Sequence, residues 1–223
     1  MKAGNKSYNT SEDIPEIIPI FPLSAALLLP GAHMPMNIFE PRYLSLIDDA
    51  LRGDRLVGMI QPSFEDGETE DTSNLCSVGC IGRITAIQET GDGRYLLNLS
   101  GICRFRIVSE QKPKNGYRRC KVKLFVEDLL EDSDASNGVD RDELLSTFKA
   151  YLDANDMEAD WEGVSAASTE MLVNTLAMMS PYGPAEKQAL LEAPDLRTRA
   201  QTLIAITEFA LAKDTEDSGV TLQ

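Results

Sequence analysis

Residues 80–99, CIGRITAIQETGDGRYLLNL, contain the pattern that decides the fold class of this chain. Cys80 to Ile87 has the composition of a β-strand, and Arg94 to Leu99 has that of the returning strand. Between them Gly91-Asp92-Gly93 predicts a hairpin turn, because Asp-Gly provides the two central residues with positive φ that a tight turn needs. The middle of the chain is therefore predicted to be antiparallel β structure.

On both sides of this hairpin, proline and glycine separate further short apolar segments. Two alternating strands are predicted downstream at 103–108 and 119–126, joined by a loop rich in Lys, Pro, Asn and Gly. Upstream, the apolar runs 17–23 and 26–29 contain or precede prolines, which should confine them to sheet edges or strand starts. Pro41 begins a helical period that Gly53 ends, and a buried strand is predicted at 54–60. At least six strands and one helix predict a mostly antiparallel, barrel-like sheet.

The residues after this sheet have a different period and predict a small α-helical bundle. Four helices are expected, through Leu144–Leu152, through Met171–Met179 and from Pro184, with Asp195 as the N-cap of the last. The fold class is therefore α+β. The predicted boundaries are a flexible tail at 1–13, the β-barrel with one helix at 14–126, an acidic linker at 127–140, the bundle at 141–213 and a tail at 214–223.

Composition limits the classes of function. The 223 residues carry a formal net charge of −15, which disfavours indiscriminate binding to nucleic acid or anionic lipid. No segment approaches the roughly 20 apolar residues of a membrane span, and residues 1–13 lack the apolar core of an export signal. A cytoplasmic protein with reduced cysteines is therefore expected.

Residues suited to catalysis or metal binding are sparse. The single histidine, His33, is expected to be an exposed loop residue, and the spacing of Cys76 and Cys80 matches no standard zinc motif. Strand phase places Cys103 and Cys120 among apolar side chains. The carboxylates lie in polar runs, and neither GxxxxGK[ST] nor GxGxxG occurs. We therefore predict no catalytic residue, no metal, no cofactor and no enzymatic activity.

Strand phase also predicts a basic face. If strands 103–108 and 119–126 pair, five cations share one side of the ribbon: Arg104, Arg106, Arg119, Lys121 and Lys123. Such a face is either an ordinary polar surface, neutralised by the acidic linker, or a groove for RNA or another anion. Only Phe125 shares it as an aromatic residue, so stacking of bases is poorly supported.

Six stretches, taken together, resemble the substrate-binding domain of Lon proteases. They are residues 19–23 (PIFPL), 29–31 (LPG), 34–43 (MPMNIFEPRY), 78–82 (VGCIG), 92–95 (DGRY) and 101–107 (GICRFRI). The helical part is similar through 187–192 (KQALLE) and the later Asp195 and Arg197, so the resemblance extends over roughly residues 15–212. It implies a PUA-like pseudo-barrel followed by helices, and a stand-alone domain without the ATPase and Ser–Lys protease modules.

The resemblance implies a non-catalytic module that binds unfolded or specific polypeptides, with a protease or chaperone as a further candidate partner. Met34, Met36 and Phe64 are the candidate peptide-contacting residues, because methionine suits surfaces that accept varied apolar partners. The remaining motif residues are expected to be structural: Pro30, Gly31, Phe39, Glu40, Arg42, Tyr43, Asp92, Gly93, Arg94 and Tyr95. In particular, Phe39 and Tyr43 should anchor the first helix, and Arg42 should either pair with Glu40 or cap a loop.

Overall fold

A computed structural model describes residues 1–63, 74–130, 138–155 and 157–219, with side chains described as far as residue 213. The chain forms two compact units. The first comprises Met1–Glu131 and Tyr182–Leu191, and the second Asp132–Pro181 and Glu192–Gln223. The first contains the β structure and the second is helical, so the predicted α+β class is confirmed.

The first unit is built around one six-stranded sheet. In chain order the described strands are β1 (Lys2–Ala3), β2 (Lys6–Ser7), β3 (Ile17–Pro22), β4 (His33–Ile38), β5 (Leu56–Ile60), β6 (Pro62–Ser63), β7 (Asn74–Leu75), β8 (Val78–Glu89), β9 (Tyr95–Lys114) and β10 (Tyr117–Leu124). Five of them close into a ring in the order β10-β3-β5-β8-β9, because β10 pairs with both β3 and β9. β4 pairs with the N-terminal half of β9. All pairings in this sheet are antiparallel except that of β3 with β5.

The central hairpin of β8 and β9 is confirmed, although its turn differs in detail. Gly91 and Gly93 have φ of 81° and 87°, whereas Asp92 is not among the residues with positive φ. The expected two-residue turn was therefore wrong, and a longer loop between Glu89 and Tyr95 uses glycine at both left-handed positions.

The following hairpin is tighter than the sequence analysis predicted. β9 continues to Lys114 and β10 begins at Tyr117, so that the connection is Asn115-Gly116 with φ of 49° and 85°. An Asn-Gly pair with positive φ at both residues is the preferred two-residue hairpin turn. The prediction of a longer loop did not take this Asn-Gly dipeptide into account.

Strand β3 lies inside the ring although it contains two prolines. Residues 17–19 pair only with β10, residues 21 and 22 pair only with β5, and Ile20 pairs with both. Proline lacks a backbone donor, and a strand can accept it where one side has no neighbour. The predicted edge location was therefore wrong for the strand as a whole but correct for the environment of each proline. The run 26–29 forms no strand, and its three leucines are buried without regular structure.

Residues 1–13, predicted to be a flexible tail, are ordered. β1 and β2 form a small hairpin, and the Tyr8 side chain is fully buried. The Arg83 Nη1 donates to the Tyr8 hydroxyl at 3.0 Å. Burial of this aromatic ring against the barrel core explains the order, because one such side chain contributes about 1.5–3 kcal/mol.

The barrel interior is apolar and includes the cysteines that strand phase placed there. Cys103 and Cys120 are completely buried beside Phe105 and Ile81, which confirms their predicted role as small core side chains. Burial raises the pKa of Cys103 to about 12 and that of Cys120 to about 11. Both thiols therefore stay protonated and unreactive near neutral pH.

Helix α1 (Pro41–Arg52) begins and ends where the sequence predicted, and Asp49 attaches it to the β9–β10 hairpin. Its carboxylate accepts hydrogen bonds from the Tyr117 hydroxyl at 2.8 Å and from the Asn115 side chain at 3.1 Å, and it pairs with Lys114 at 3.1 Å. The Tyr117 hydrogen bond is the main cause that lowers the pKa of Asp49 below its ordinary value of 3.8.

We expect this carboxylate to make stability depend on pH in acid. A carboxyl group with a lowered pKa contributes stability that is fully present above its unfolded value of 3.8 and is lost as pH falls through the folded value. Asp49→Asn should therefore lower the free energy of unfolding by about 1–2 kcal/mol near neutrality and by progressively less as pH falls below 3.8. Urea unfolding across pH 7 to 3 measures this, with Tyr117→Phe as a companion. A difference that stays constant with pH would contradict it.

The second unit consists of helices. The bundle contains α2 (Arg141–Ala154), α3 (Trp161–Ala166), α4 (Thr169–Met179) and α6 (Leu196–Gly219). Asp195 caps α6, since its carboxylate accepts a hydrogen bond from the Thr198 N–H at 2.7 Å, as predicted. Helix α3 was not predicted, because six residues are too few to establish a helical period. α6 continues beyond residue 213, where the bundle was expected to end.

Helix α5 (Pro184–Glu192) was predicted as part of the bundle, but its residues up to Leu191 belong to the β unit. Residues 126–129 of the predicted border and linker form a short 3₁₀ helix in the same unit, with Leu129 buried. Gln61 donates to the Pro184 carbonyl at 2.9 Å, and Asp128 of the 3₁₀ helix pairs with Arg104 at 2.8 Å. Neither contact is visible as a periodicity in the sequence.

Candidate functional site: an apolar cavity beside strand β4

A cavity of about 260 Å³ opens on the surface of the β unit, between the end of β3 and strand β4. Its described wall consists of Phe21, Pro22, Leu23, Met34, Pro35, Met36, Asn37, Ile38, Phe39, Glu40 and Tyr43. Apolar side chains dominate this wall, with a few polar groups at the rim. Cavities of this composition are typical of binding sites.

The register of the sheet explains why an opening exists here. β10 pairs with β3 only as far as Ile20, so Phe21 and Pro22 have β5 on one side and no strand from the described part of the chain on the other. β4 pairs with β9 along one edge and is the terminal strand of the sheet. Two strand edges without a partner among the described residues therefore face the same gap in the barrel.

The methionines that the sequence analysis selected lie together in this gap. Met34 and Met36 alternate along β4, are half-buried and line the same cavity. Ile38 continues the series and is fully buried. Phe64, the third candidate, lies outside the described residues.

Strand β4 itself was not predicted, and His33 was expected in a loop. The structure places His33 at the first position of β4, exposed, with its Nδ1 2.9 Å from the Ser100 hydroxyl. The segment HMPMNI is a weak strand former by composition. Pairing with Leu97 and Leu99 of β9 decides its conformation.

The family-motif residues after β4 divide into one structural group and one exposed residue. Tyr43 is buried and stacks on Phe21 with ring centroids 4.0 Å apart, so it anchors α1 as predicted. Arg42 pairs with Glu40 at 2.9 Å, which is also confirmed. Phe39 is 60% exposed and lines the cavity, so the expected anchoring role of Phe39 was wrong.

The remaining motif residues have structural contacts. Pro30 and Gly31 form the turn before β4, with Gly31 at φ 76° and its N–H donating to the Gly101 carbonyl at 3.0 Å. Arg94 pairs with Asp92 across the exposed hairpin at 3.3 Å. The Tyr95 hydroxyl donates to Asp48 of α1 at 2.9 Å. The predicted structural roles of these residues are consistent with the contacts.

Gln61 is a buried polar residue that holds the loop beside the cavity and was not selected from the sequence. Its Oε1 accepts the Ala25 N–H at 3.0 Å, and its Nε2 donates to the Pro184 carbonyl at 2.9 Å. Ala25 has φ 56°, an unusual conformation for alanine. Gln61 therefore fixes both the loop that follows Leu23 and the start of α5. A glutamine after an apolar strand gives no sign of this role.

The five predicted cations are not equivalent in the structure. Arg104 is only 4% exposed and forms a two-pronged ion pair with Asp128, at 2.8 Å and 2.9 Å. Arg119 donates to the Lys112 carbonyl at 3.1 Å, and Lys121 pairs with Glu16 at 3.0 Å. Arg106 and Lys123 face each other across the β9–β10 register, both exposed. Arg104 is therefore not available to an external anion.

Arg106 also contacts Phe125, the aromatic residue of that face. The guanidinium carbons of Arg104 and Arg106 lie 5.1 Å and 5.7 Å from the centre of the Phe125 ring. The ring is half-buried. A binding role for the basic face stays a prediction that depends on Arg106, Arg119, Lys121 and Lys123.

Within the described ranges, no group of three or more His, Cys, Asp or Glu side chains is arranged to hold a metal ion. The same part of the chain contains no helix with the length and apolar character needed to cross a bilayer.

The fold and the cavity define a class of protein: a mixed α+β domain whose strand ring leaves an apolar opening at one edge. Comparison with known families identifies the family. Residues 17–208 match the family described as the ATP-dependent protease La (LON) substrate-binding domain, and the chain belongs to this family.

Curated relatives agree with this assignment. The chain is 28% identical over 204 residues to Lon protease 2 of Myxococcus xanthus, covering 87% of the chain and 24% of the relative. It is 27% identical over 215 residues to Lon protease 2 of Sorangium cellulosum, covering 92% of the chain and 26% of the relative. The chain thus spans about a quarter of the length of these relatives.

Two solved structures share the fold. The crystal structure of a Lon N-terminal domain protein from Xanthomonas campestris aligns with a TM-score of 0.58 and 24% identity, over 85% of this chain and 97% of that one. The N-terminal domain of a Mycobacterium avium complex Lon protease aligns with a TM-score of 0.61 and 18% identity, over 86% and 98%.

Proposed function

We propose that this chain is a non-catalytic module that binds unfolded or specific polypeptides in the cytoplasm, and that the cavity beside β4 is its contact site. The observation that carries the proposal is the joint placement of Met34, Met36 and the exposed Phe39 around one apolar opening. Flexible thioethers beside an aromatic ring can adapt to side chains of different shapes.

The family assignment supports the same function, since the matched family is defined by a substrate-binding domain. A protease or chaperone is the natural context for such a module, and direct association with one is part of the proposal. Isothermal titration against a reduced and alkylated model protein tests the binding itself. Absence of saturable binding would remove the proposal.

Met36→Asp should weaken this binding at least ~10-fold, corresponding to about 1.4 kcal/mol, because a carboxylate in the cavity must be desolvated when an apolar side chain enters. Met36 is half-exposed, so the free energy of unfolding should change by less than about 1 kcal/mol. Fluorescence anisotropy with a labelled apolar peptide measures the affinity.

Val108→Asp provides a matched control, since Val108 is 58% exposed, lies on β9 in the same unit and is not part of the described cavity wall. It introduces the same charge without touching the cavity, and its affinity should equal that of the parent. Equal weakening by both variants would show that the added charge acts at long range and that the cavity is not the contact site.

The basic face carries the alternative function, binding of RNA or another anion. Charge reversal at Arg106, Lys121 and Lys123 should abolish any salt-dependent RNA binding of the parent. Arg104 must be left intact in this variant, because its ion pair is part of the fold. RNA binding that is absent in the parent at low salt, or unchanged in the variant, would dismiss this alternative.

A further inference from the structure

We infer that the cavity recognises a single large apolar side chain on a segment with basic flanks, and that it does not extend the sheet by adding a bound strand. The inference rests on the proposed function and specifies how the polypeptide is held. An exposed strand edge usually offers backbone hydrogen bonds to a partner strand, so the distinction depends on which groups face the gap.

Strand β4 presents a proline at the centre of its free edge. The Gly101 N–H donates to the Ala32 carbonyl at 2.9 Å, and alternation from this bond directs the even residues of β4 toward β9. His33, Pro35 and Asn37 therefore direct their backbone groups away from β9. Pro35 has no N–H, so the middle of the edge can accept a hydrogen bond but cannot donate one.

The edge of β3 at the same gap also lacks a backbone N–H donor. The Leu23 N–H donates to the Ile60 carbonyl at 2.9 Å, which directs Phe21 and Leu23 toward β5 and Pro22 toward the gap. Pro22 also lacks an N–H. Each edge of the gap thus has proline where a bound strand would need a donor, which is a known means of preventing strand addition.

The volume of the cavity fits one anchoring side chain. A cavity of about 150 Å³ lined by aliphatic and aromatic side chains binds benzene. The present cavity of about 260 Å³ therefore accommodates one aromatic or large aliphatic side chain with some space left. Its wall of Met34, Met36, Phe21 and Phe39 provides apolar contact of the kind that favours an aromatic ring.

The charges favour a basic segment around that side chain. Glu40 is the charged residue in the described wall; Arg42 pairs with it at 2.9 Å, so the attraction for cations comes mainly from the net charge of −15 of the whole chain. The carbonyls of Pro22 and Pro35 add acceptors at the two edges. A partner that carries cations and N–H donors complements such a rim, whereas an acidic segment is repelled.

Four labelled peptides test the inference with the full chain, by fluorescence anisotropy at low salt. The reference peptide has a central Phe flanked by Lys. The others have Ala in place of Phe, N-methylated backbone amides beside the Phe, or Asp in place of Lys. We expect at least ~10-fold weaker binding for the Ala peptide, a change below ~3-fold for the N-methylated peptide, and at least ~5-fold weaker binding for the Asp peptide.

Salt concentration provides an internal check. At about 0.5 M salt, screening should reduce the difference in affinity between the Lys and Asp peptides. The weaker binding of the Ala peptide should remain. If N-methylation lowers the affinity 10-fold or more, the inference is overturned, because the peptide backbone is then bound as a strand. Equal affinity for Lys and Asp peptides would overturn the charge preference.

Failure of the inference and failure of the proposed function give different results. If the reference peptide binds and Met36→Asp abolishes the binding, but N-methylation also does so, then the proposed function stands and the inference is wrong. If neither the reference peptide nor the unfolded model protein binds at all, both are wrong.

Discussion

Asp128→Asn should lower the free energy of unfolding by about 3–5 kcal/mol, because it leaves the guanidinium of Arg104 buried without its counter-ion. The carboxylate of Asp128 accepts the Arg104 backbone N–H at 2.8 Å, its Nε at 2.9 Å and its Nη2 at 2.8 Å. The two side chains are only 5% and 10% exposed. Burial by itself would lower the pKa of Arg104, but the hydrogen bond and charge of Asp128 more than offset this and raise it.

Arg118 and Glu110 form a matched pair on the surface of the same unit. Their two hydrogen bonds measure 2.7 Å and 2.8 Å, but the Glu110 side chain is 44% exposed. Glu110→Gln should therefore lower the free energy of unfolding by less than about 1 kcal/mol, since water can take the place of the lost ion-pair contacts. Urea unfolding of both variants gives the comparison. Equal losses of unfolding free energy in Asp128→Asn and Glu110→Gln would contradict the view that burial determines how much an ion pair contributes to stability.

A double replacement separates the loss of the pair from the loss of packing. Arg104→Met with Asp128→Leu removes both charges and fills similar volume. A buried pair replaced in this way often costs little. The double variant should recover most of the stability that Asp128→Asn loses. Failure to recover would assign the effect to the backbone hydrogen bond from Arg104 and to the short 3₁₀ helix that contains Asp128.

Gly101→Ala should destabilise the β unit by about 3 kcal/mol or more, because the new Cβ would overlap the Leu29 backbone oxygen. Leu29 is completely buried, and its carbonyl accepts the Ala32 N–H at 3.1 Å. The clash is between two backbone segments, so that no side-chain rotation relieves it. Thermal unfolding by circular dichroism measures the effect.

Gly183→Ala is the control for this substitution. There the added Cβ approaches only the end of the flexible Glu186 side chain, which can rotate away. The change in stability should stay below about 1 kcal/mol. Because residues 29–32 lead directly into β4, Gly101→Ala should also weaken peptide binding at the cavity. Unchanged stability in Gly101→Ala would mean that the turn before β4 can move freely.

The sequence determined the fold class and most of the elements of the chain by itself. The β8–β9 hairpin, helix α1, the buried cysteines and the cap of α6 all follow from local rules: alternation, a helical period, turn residues and capping residues. Such rules depend on neighbours within a few residues, which a single sequence contains completely. The order of the family motifs also pointed to the Lon substrate-binding family, and the match over residues 17–208 confirmed it.

The tertiary structure alone decided the features that depend on distant residues. β4 is a strand because β9 pairs with it, Arg104 is buried because Asp128 reaches it, and residues 1–13 are ordered because Tyr8 enters the barrel. The sequence could select Met34 and Met36 as apolar side chains for contact, but not their common cavity or Phe39 beside them. That cavity exists where β3 continues to Pro22 beyond its last pair with β10, Ile20 with Arg118. Such an offset is set by packing between the strands and is not recorded in the local sequence pattern of either strand.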